Sequence, residues 1–202
     1  MKKTIAAVVC AAAAALSVQA HAEDAKVLRM ACESTYAPFV FFDSETGKLK
    51  GFEIDLLEYV AKEMGRKLEV TNMGFDAIIP SMLTGITDVG ASAFTITPER
   101  AKRVLFSKPY YISGLSILVR AEDKDKIKSV KDIENCTICA QIGTSGSMRA
   151  AKVPGAKVRN FNTINDAYLE LGNKGCKAVI TDRPVTAYFL AVRPETAKDR
   201  KS

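Results

Sequence analysis

Histidine is almost absent from this 202-residue chain, and that scarcity excludes several kinds of active site. The one histidine, His21, lies in an N-terminal segment that we expect to be removed. A mature chain without histidine has no Ser-His-Asp triad, no Cys-His dyad and no zinc site with histidine ligands. An enzyme built from this sequence would have to use carboxylates, lysine, tyrosine or cysteine, and the sequence indicates no metal and no cofactor.

The first 22 residues have the pattern of a secretory signal peptide. Two lysines follow Met1, an apolar segment occupies residues 5–16, and residues 20–22 form an A-x-A cleavage site. That apolar segment is too short to span a bilayer, and no later run reaches about eighteen apolar residues. The sequence therefore predicts a periplasmic protein that is exported through a signal peptide cleaved after residue 22.

The charge balance gives little support for a nucleic-acid partner. The net charge is +6, and it falls by two when Lys2 and Lys3 leave with the signal peptide. The basic residues are spread along the chain and are not interleaved with aromatic residues. A solvated surface explains this pattern better than nucleic-acid binding.

Four cysteines follow the signal peptide, and export would permit disulfides. Cys136 and Cys139 form a C-x-x-C pair, but a strand-like sequence follows it, whereas a thioredoxin-type motif opens a helix. We expect a structural role instead. Cys136 and Cys176 each open a predicted strand and can pair as a disulfide if those strands are neighbours, whereas Cys32 is interpreted as a buried free thiol.

Strand and helix patterns alternate along the chain, which predicts an α/β fold with sheets covered on both faces. A charged stretch at 122–132 interrupts the alternation and is typical of an exposed connection between domains. We therefore predict a first lobe at 23–120, a second lobe at 121–192 and a polar tail at 193–202.

One predicted helix start carries a positively charged residue where a negatively charged or neutral one is expected. Thr97 is a suitable N-cap and Pro98 a suitable first residue, but Arg100 stands where a capping box would have Glu or Gln. The helix dipole disfavours a cation there. A bound carboxylate would be held by both the guanidinium and the free helix N–H groups, so we interpret Arg100 as part of an anion site. An ordinary surface arginine is the alternative.

Three further predicted strand ends carry polar or aromatic groups that suit a small ligand. The segment "GTSGS" at 143–147 offers N–H groups but lacks the spacing of a nucleotide P-loop. Asp182 can pair with an ammonium, or it can simply cap the following helix. Tyr36 and Phe75 can form apolar walls near Glu33, although aromatic residues are more often core. Because ligands bind at the carboxyl ends of strands in open α/β sheets, the set suits a zwitterion such as a free α-amino acid.

The order of several motifs closely resembles the family 3 extracellular solute-binding proteins, which are periplasmic amino-acid receptors of ABC importers. The resemblance covers residues 27 to about 192. It is carried by "ESTYAPFVFFD", "GKLKGFEIDLLEYVAKEMG", "FDAIIPSMLTGITDV" and "TITPERAKRVLFSKPYY" in that order. It implies a type II periplasmic-binding-protein-like fold, with two α/β lobes that close around a cleft. In the family a strand and helices usually return to the first lobe after this point, and this sequence lacks them.

The resemblance also implies roles for individual residues. Arg100 corresponds to the arginine that holds the ligand α-carboxylate, and Asp182 to the aspartate that holds the α-ammonium. The other implied contacts are a hydroxyl from Thr95, the carbonyl of Ala93, carboxylate contacts from Thr144 and Ser145, aromatic walls from Tyr36 and Phe75, and side-chain contacts from Glu33 and Gln141.

The resemblance implies a function with three alternatives left open. Glu33 and Gln141 favour a polar L-amino acid whose side chain carries donors, namely arginine, lysine, histidine or glutamine. The partner would be an inner-membrane ABC permease, and the receptor would be a monomer without enzymatic activity. A second interpretation is an enzyme on the same fold that resembles cyclohexadienyl or arogenate dehydratases, with Glu33 as general acid. A third is a shortened product that binds nothing.

Overall fold

The structure is a computed structural model that describes residues 26–192 and 200–201. The predicted signal peptide at 1–22 and most of the predicted tail at 193–202 lie outside the described residues. None of the helices in the described part of the chain combines the length and the apolar character that a membrane span requires.

The first lobe is built around a parallel sheet of three strands in the order β5-β1-β6. A small antiparallel sheet, β2-β3-β4, lies between β1 and the first helix in sequence. The strands of this lobe are β1 (Val27–Cys32), β2 (Thr35–Tyr36), β3 (Val40–Phe42), β4 (Leu49–Lys50), β5 (Lys67–Asn72) and β6 (Val89–Gly90). Its helices are α1 (Phe52–Glu63), α2 (Phe75–Leu83) and α3 (Pro98–Ala101).

Helix α1 covers this sheet with the apolar stripe that its sequence predicts. Ile54, Leu57 and Ala61 recur at helical spacing and are buried. They pack with Leu28 and Met30 of β1 in one apolar cluster. The N-cap of the helix is Gly51, whose φ is 131°, and a Cβ there would lie 2.3 Å from the Phe39 carbonyl oxygen. Glycine is therefore required for the close approach of α1 to the chain that follows β2.

The second lobe contains a five-stranded sheet in the order β11-β7-β10-β8-β9. The three strands β9, β8 and β10 are parallel, whereas β7 pairs antiparallel with β10. Its strands are β7 (Leu115–Arg120), β8 (Thr137–Gln141), β9 (Lys157–Phe161), β10 (Ala178–Asp182) and β11 (Arg200–Lys201). Its helices are α4 (Ser145–Ala150), α5 (Ile164–Gly172) and α6 (Arg183–Val192).

The strand at 115–120 corrects the predicted division of the lobes. We expected the first lobe to end at residue 120, but β7 pairs with β10 along Leu118↔Val179 and belongs to the second sheet. The composition changes only after this strand, at the charged stretch, because β7 is as apolar as the strands of either sheet. The sheet to which a strand belongs depends on its pairing with a distant strand. A local sequence pattern does not contain that information.

The disulfide predicted between Cys136 and Cys176 is wrong, because all four described cysteines are free thiols. Cys136 precedes β8, whereas Cys139 lies within that strand. Cys139 and Cys176 share one buried apolar cluster, whereas Cys136 is half-buried outside it. The interaction between the two buried thiols raises the pKa of Cys139 and lowers that of Cys176.

The lobes meet in a shared apolar cluster. Tyr36 and Phe39 of the first lobe pack with Leu118, Tyr168 and Phe189 of the second, and all five are buried. Burial of apolar surface across the contact favours a closed arrangement. The carboxyl ends of β1, β6, β8 and β10 are thereby brought to one cleft.

Candidate functional site

A small cavity, partly open to solvent, lies where the strand ends of the two lobes meet, with about 170 Å³ of empty space that includes this solvent. Each of its walls follows a strand or opens a helix, so rigid elements position the side chains. The lining residues are Tyr36, Phe75, Ala93, Thr95, Arg100, Thr144, Ser145 and Asp182.

Arg100 is held in place from both lobes. The hydroxyl of Thr97 caps helix α3 by accepting a hydrogen bond from the Arg100 backbone N–H at 3.3 Å. The Arg100 side chain donates to the carbonyls of Thr95 at 2.8 Å and Gly143 at 2.9 Å. These contacts engage two of the five N–H donors of a guanidinium, which leaves donors for an anion.

Two aromatic rings support the Arg100 guanidinium. It lies 5.4 Å from the ring centre of Phe75 and 5.1 Å from that of Phe94, and the two rings stack at 4.4 Å. Burial lowers the pKa of Arg100, while Asp182 opposes that change. Arginine nevertheless stays charged, so the cavity contains a permanent and partly desolvated cation.

The segment 143–147 forms the opposite wall. Thr144 caps helix α4: its hydroxyl accepts from the Ser147 N–H at 3.2 Å and donates to the Gln141 carbonyl at 2.7 Å. Ser145 accepts a hydrogen bond from the hydroxyl of Thr95 across the cleft at 3.2 Å. A Cβ on Gly146 would lie 2.3 Å from the Ile180 carbonyl oxygen, so the motif needs glycine there to seat α4 against β10.

Asp182 supplies the negative charge of the cavity. It ends β10, and its carboxylate accepts a hydrogen bond from the Tyr36 hydroxyl of the other lobe. That hydroxyl also lies 3.0 Å from the hydroxyl of Thr181. Burial raises the pKa of Asp182, and the bond from Tyr36 and the charge of Arg100 oppose the change.

Glu33 and Gln141 form a further polar contact between the lobes. The Gln141 amide nitrogen donates to the Glu33 carboxylate at 2.9 Å and to the Asn162 carbonyl at 3.0 Å. These two bonds fix the amide orientation, and the Gln141 amide oxygen is buried with no hydrogen-bond partner in the described part of the chain. Burial raises the pKa of Glu33, although hydrogen bonds from Gln141 and Thr35 oppose the change.

The structure brings the predicted site residues together. Eight of the ten line the cavity, while Glu33 and Gln141 are not among its walls and contact each other between the lobes. Their roles toward a ligand stay predictions. Sequence reasoning missed Phe94, which lies between two residues that it did select. It also missed Glu53, because an acidic residue in the first turn of a helix is adequately explained by the helix dipole.

Comparison with protein families gives one match over most of the chain. The model of the bacterial extracellular solute-binding proteins, family 3, matches residues 28–189. A probable histidine-binding protein of Campylobacter jejuni is 33% identical over 83% of this chain and 64% of the relative. This chain therefore spans less than two thirds of that relative. The arginine-binding protein 1 of Escherichia coli (strain K12) is 29% identical over 86% of this chain and 70% of its own.

Solved structures agree with the family match. The arginine-bound form of truncated ArgBP from T. maritima superposes with a TM-score of 0.83 and 36% identity, over 89% of this chain and 82% of the other. The ancestral amino acid-binding protein AncCDT-1, a precursor of cyclohexadienyl dehydratase, gives 0.79 and 40% identity over 83% and 74%. With two α/β lobes around a cleft and a family match over most of its length, the chain belongs to the bacterial extracellular solute-binding proteins, family 3.

Proposed function

We propose that this protein is a receptor for a free L-α-amino acid with a donor-bearing side chain, and that it presents this ligand to an ABC importer. One observation carries the proposal. Arg100 from the first lobe and Asp182 from the second line the same small cavity. An α-amino acid is a zwitterion, and its carboxylate and ammonium complement these two charges.

The electrostatics of the cavity support a zwitterionic ligand. Burial disfavours the charged forms of both Arg100 and Asp182. It therefore lowers the pKa of Arg100 and raises the pKa of Asp182. Bringing an opposite charge to each group offsets that desolvation. A ligand with a single charge would leave one of the two groups without a partner.

The donors and acceptors that line the cavity support the α-carboxylate and ammonium assignments. We assign the carboxylate to Arg100, with hydroxyl or N–H donors from Thr95, Thr144 and Ser145. We assign the ammonium to Asp182 and to the Ala93 carbonyl, with Tyr36 and Phe75 as apolar walls.

The polar contact between Glu33 and Gln141 favours a side chain that carries donors. The Glu33 carboxylate and the unpartnered amide oxygen of Gln141 are both acceptors. An acceptor buried without a partner costs about 1–3 kcal/mol, and a ligand donor would remove that cost. Arginine, lysine, histidine and glutamine are the amino acids that we propose on this basis.

Calorimetric titration of the protein lacking residues 1–22 with each of the twenty amino acids tests the proposal. We expect micromolar or tighter affinity for at least one of the four proposed ligands. The corresponding α-carboxamide, which lacks the carboxylate, should bind at least about 100-fold more weakly, since it loses a charge-assisted bond to Arg100. Millimolar affinity or none for all twenty would contradict the proposal and favour a chain that binds nothing.

A dehydratase activity is the second candidate, and the raised pKa of Glu33 is the observation in its favour. A general acid must hold a proton at the working pH, and burial raises the pKa of this carboxyl group. Against it, Glu33 accepts hydrogen bonds from the Thr35 N–H, the Thr35 hydroxyl and Gln141, which favour the ionised form. Turnover of prephenate or arogenate that is lost in Glu33→Gln would support the enzyme and displace the receptor.

A further inference from the structure

Glu53 is a fully buried carboxylate next to the cavity that the proposed function does not use. It stands in the first turn of α1 and has no exposed surface. Both of its oxygens accept the backbone N–H of Ala93, each at 2.9 Å. The hydroxyl of Tyr110 donates to the same carboxylate.

Ala93 has a backbone conformation that needs such support. Its φ is 51°, in the left-handed region that residues other than glycine rarely adopt. This conformation ends β6 after Gly90 and turns the chain into the cavity, which Ala93 lines. Strained conformations of this kind persist where the surroundings hold them, and they concentrate at functional sites.

The Ala93 carbonyl is available to a ligand, whereas its N–H is not. Glu53 occupies the N–H, and among the described residues no hydrogen bond is donated to the Ala93 carbonyl oxygen. The Ala93 N–H and the Ala93 carbonyl belong to adjacent peptide planes that are joined by the φ and ψ angles of Ala93. A carboxylate that fixes the first plane, with φ held at 51°, limits where the carbonyl of the second can point.

The same helix start positions a second wall of the cavity. The backbone N–H groups of Phe52 and Glu53 donate to the carbonyls of Pro38 and Phe39, both at 3.0 Å. This chain segment follows Tyr36, whose hydroxyl contacts Asp182. The first turn of α1 therefore holds two cavity segments at once, one through its backbone and one through the Glu53 side chain.

We propose that Glu53 is a positioning residue of the site, which holds the backbone conformation of Ala93 so that the Ala93 carbonyl accepts a hydrogen bond from the ligand α-ammonium. The inference rests on the proposed function, since it needs an amino acid in the cavity. Glu53 itself is buried and acts on the ligand only through the backbone of Ala93.

The substitution Glu53→Gln tests this role, because it keeps the size of the side chain and removes its charge. The probes are L-arginine and 5-guanidinopentanoate, which is the same molecule without its α-amino group. We expect the dissociation constant for L-arginine to rise at least about tenfold, the factor that corresponds to one hydrogen bond. The dissociation constant for the des-amino compound, followed by NMR titration up to millimolar values, should change less than about twofold.

Glu58→Gln is the matched control, since it makes the same change at an exposed position of the same helix and should leave both constants unchanged. Equal weakening of both probes by Glu53→Gln would indicate a general structural role and overturn the inference. Unchanged L-arginine binding would overturn it as well. If the wild-type protein binds no amino acid, the proposed receptor function itself is contradicted. That result differs from each result that overturns only the role of Glu53.

Hydrogen exchange in the wild-type protein tests the contact without any variant. The Ala93 amide lies outside a helix or strand, so only its bond to Glu53 protects it. We expect it to exchange at least about 100-fold more slowly than the neighbouring exposed Thr95 amide. Exchange of Ala93 at the rate of Thr95 would overturn the inference even if Glu53→Gln does not fold.

Discussion

At the scale of single residues, Arg100 and Asp182 are two charged groups in one cavity, and a zwitterionic ligand would complement both charges. The position of Arg100 at a helix start is unfavourable by itself, because the helix dipole repels a cation there. Two aromatic rings and two carbonyls hold it. Asp182 is likewise held, by the hydroxyl of Tyr36. The desolvation of both charged side chains lowers the stability of the protein. We expect a bound zwitterion to offset that cost, because it places an opposite charge next to each of them.

Arg100→Ala should lower the affinity for the amino acid at least about 100-fold, or about 3 kcal/mol, because it removes a charge-assisted contact to the carboxylate. Calorimetric titration measures the change. Arg103→Ala, which removes an exposed arginine three residues away, is the control and should leave affinity unchanged. Equal affinities of Arg100→Ala and wild type would remove Arg100 from the site.

Asp182→Asn should weaken binding yet stabilise the empty protein by about 1 kcal/mol at neutral pH, because it removes a buried charge and keeps an acceptor for Tyr36. Burial raises the pKa of Asp182 in the folded state. Its contribution to stability is therefore full below the unfolded pKa of about 3.9 and is lost as the pH rises through the folded value.

Denaturant unfolding of wild type and Asp182→Asn across that pH range checks the sign. The difference in unfolding free energy between the variant and wild type should grow as the pH rises and then level off above the folded pKa. A difference that shrinks with rising pH would show that Asp182 is stabilised as the carboxylate in the empty protein.

At the scale of elements, the site depends on close contacts between helices and strands. Helix α4 begins against β10 because Gly146 has no side chain to separate them. Helix α1 begins against the segment after β2 because Gly51 is at the contact. Thr144, the N-cap of α4, and Tyr36, the last residue of β2, are thereby placed at the cavity.

Gly146→Ala should destabilise the protein by about 2 kcal/mol, since the new Cβ would have to displace the Ile180 carbonyl of β10. It should also weaken amino-acid binding, because Thr144 and Ser145 move with α4. Gly114→Ala is the control, since a Cβ there meets only the flexible Arg183 guanidinium at 3.4 Å. Thermal unfolding and calorimetry report the two effects, and similar behaviour of both variants would contradict the tight α4–β10 contact.

At the scale of the whole molecule, the lobes are joined by contacts between the same residues that are proposed to bind the ligand. Tyr36 reaches Asp182, Arg100 reaches Gly143, and Gln141 reaches Glu33. These three contacts hold the lobes together in the closed arrangement. A ligand that adds contacts in the closed form and not in the open form shifts the equilibrium further toward closure.

Tyr36→Phe should open the empty protein, because it removes the hydroxyl that contacts Thr181 and Asp182 and keeps the apolar ring. A hydrogen bond to a charged group contributes about 2 kcal/mol, so affinity should fall about tenfold or more. Small-angle scattering should show a larger radius of gyration for the empty variant than for empty wild type. Tyr59→Phe, at an exposed position of α1, should change neither quantity.

The sequence by itself determined the α/β class and most elements, because these depend on local periodicity and on caps. It indicated the residues of the cavity through motifs that mark strand ends and through the resemblance to a known family. Helix α1 and the Thr97–Pro98 start of α3 lie where their patterns predict. Which strands pair, which thiols meet and what lies behind the cavity were decided only by the tertiary structure. The sheet of β7, the contact of Cys139 with Cys176 and the bond from Ala93 to Glu53 each join residues at least 37 positions apart, and no local pattern records which distant partner a residue will pack against.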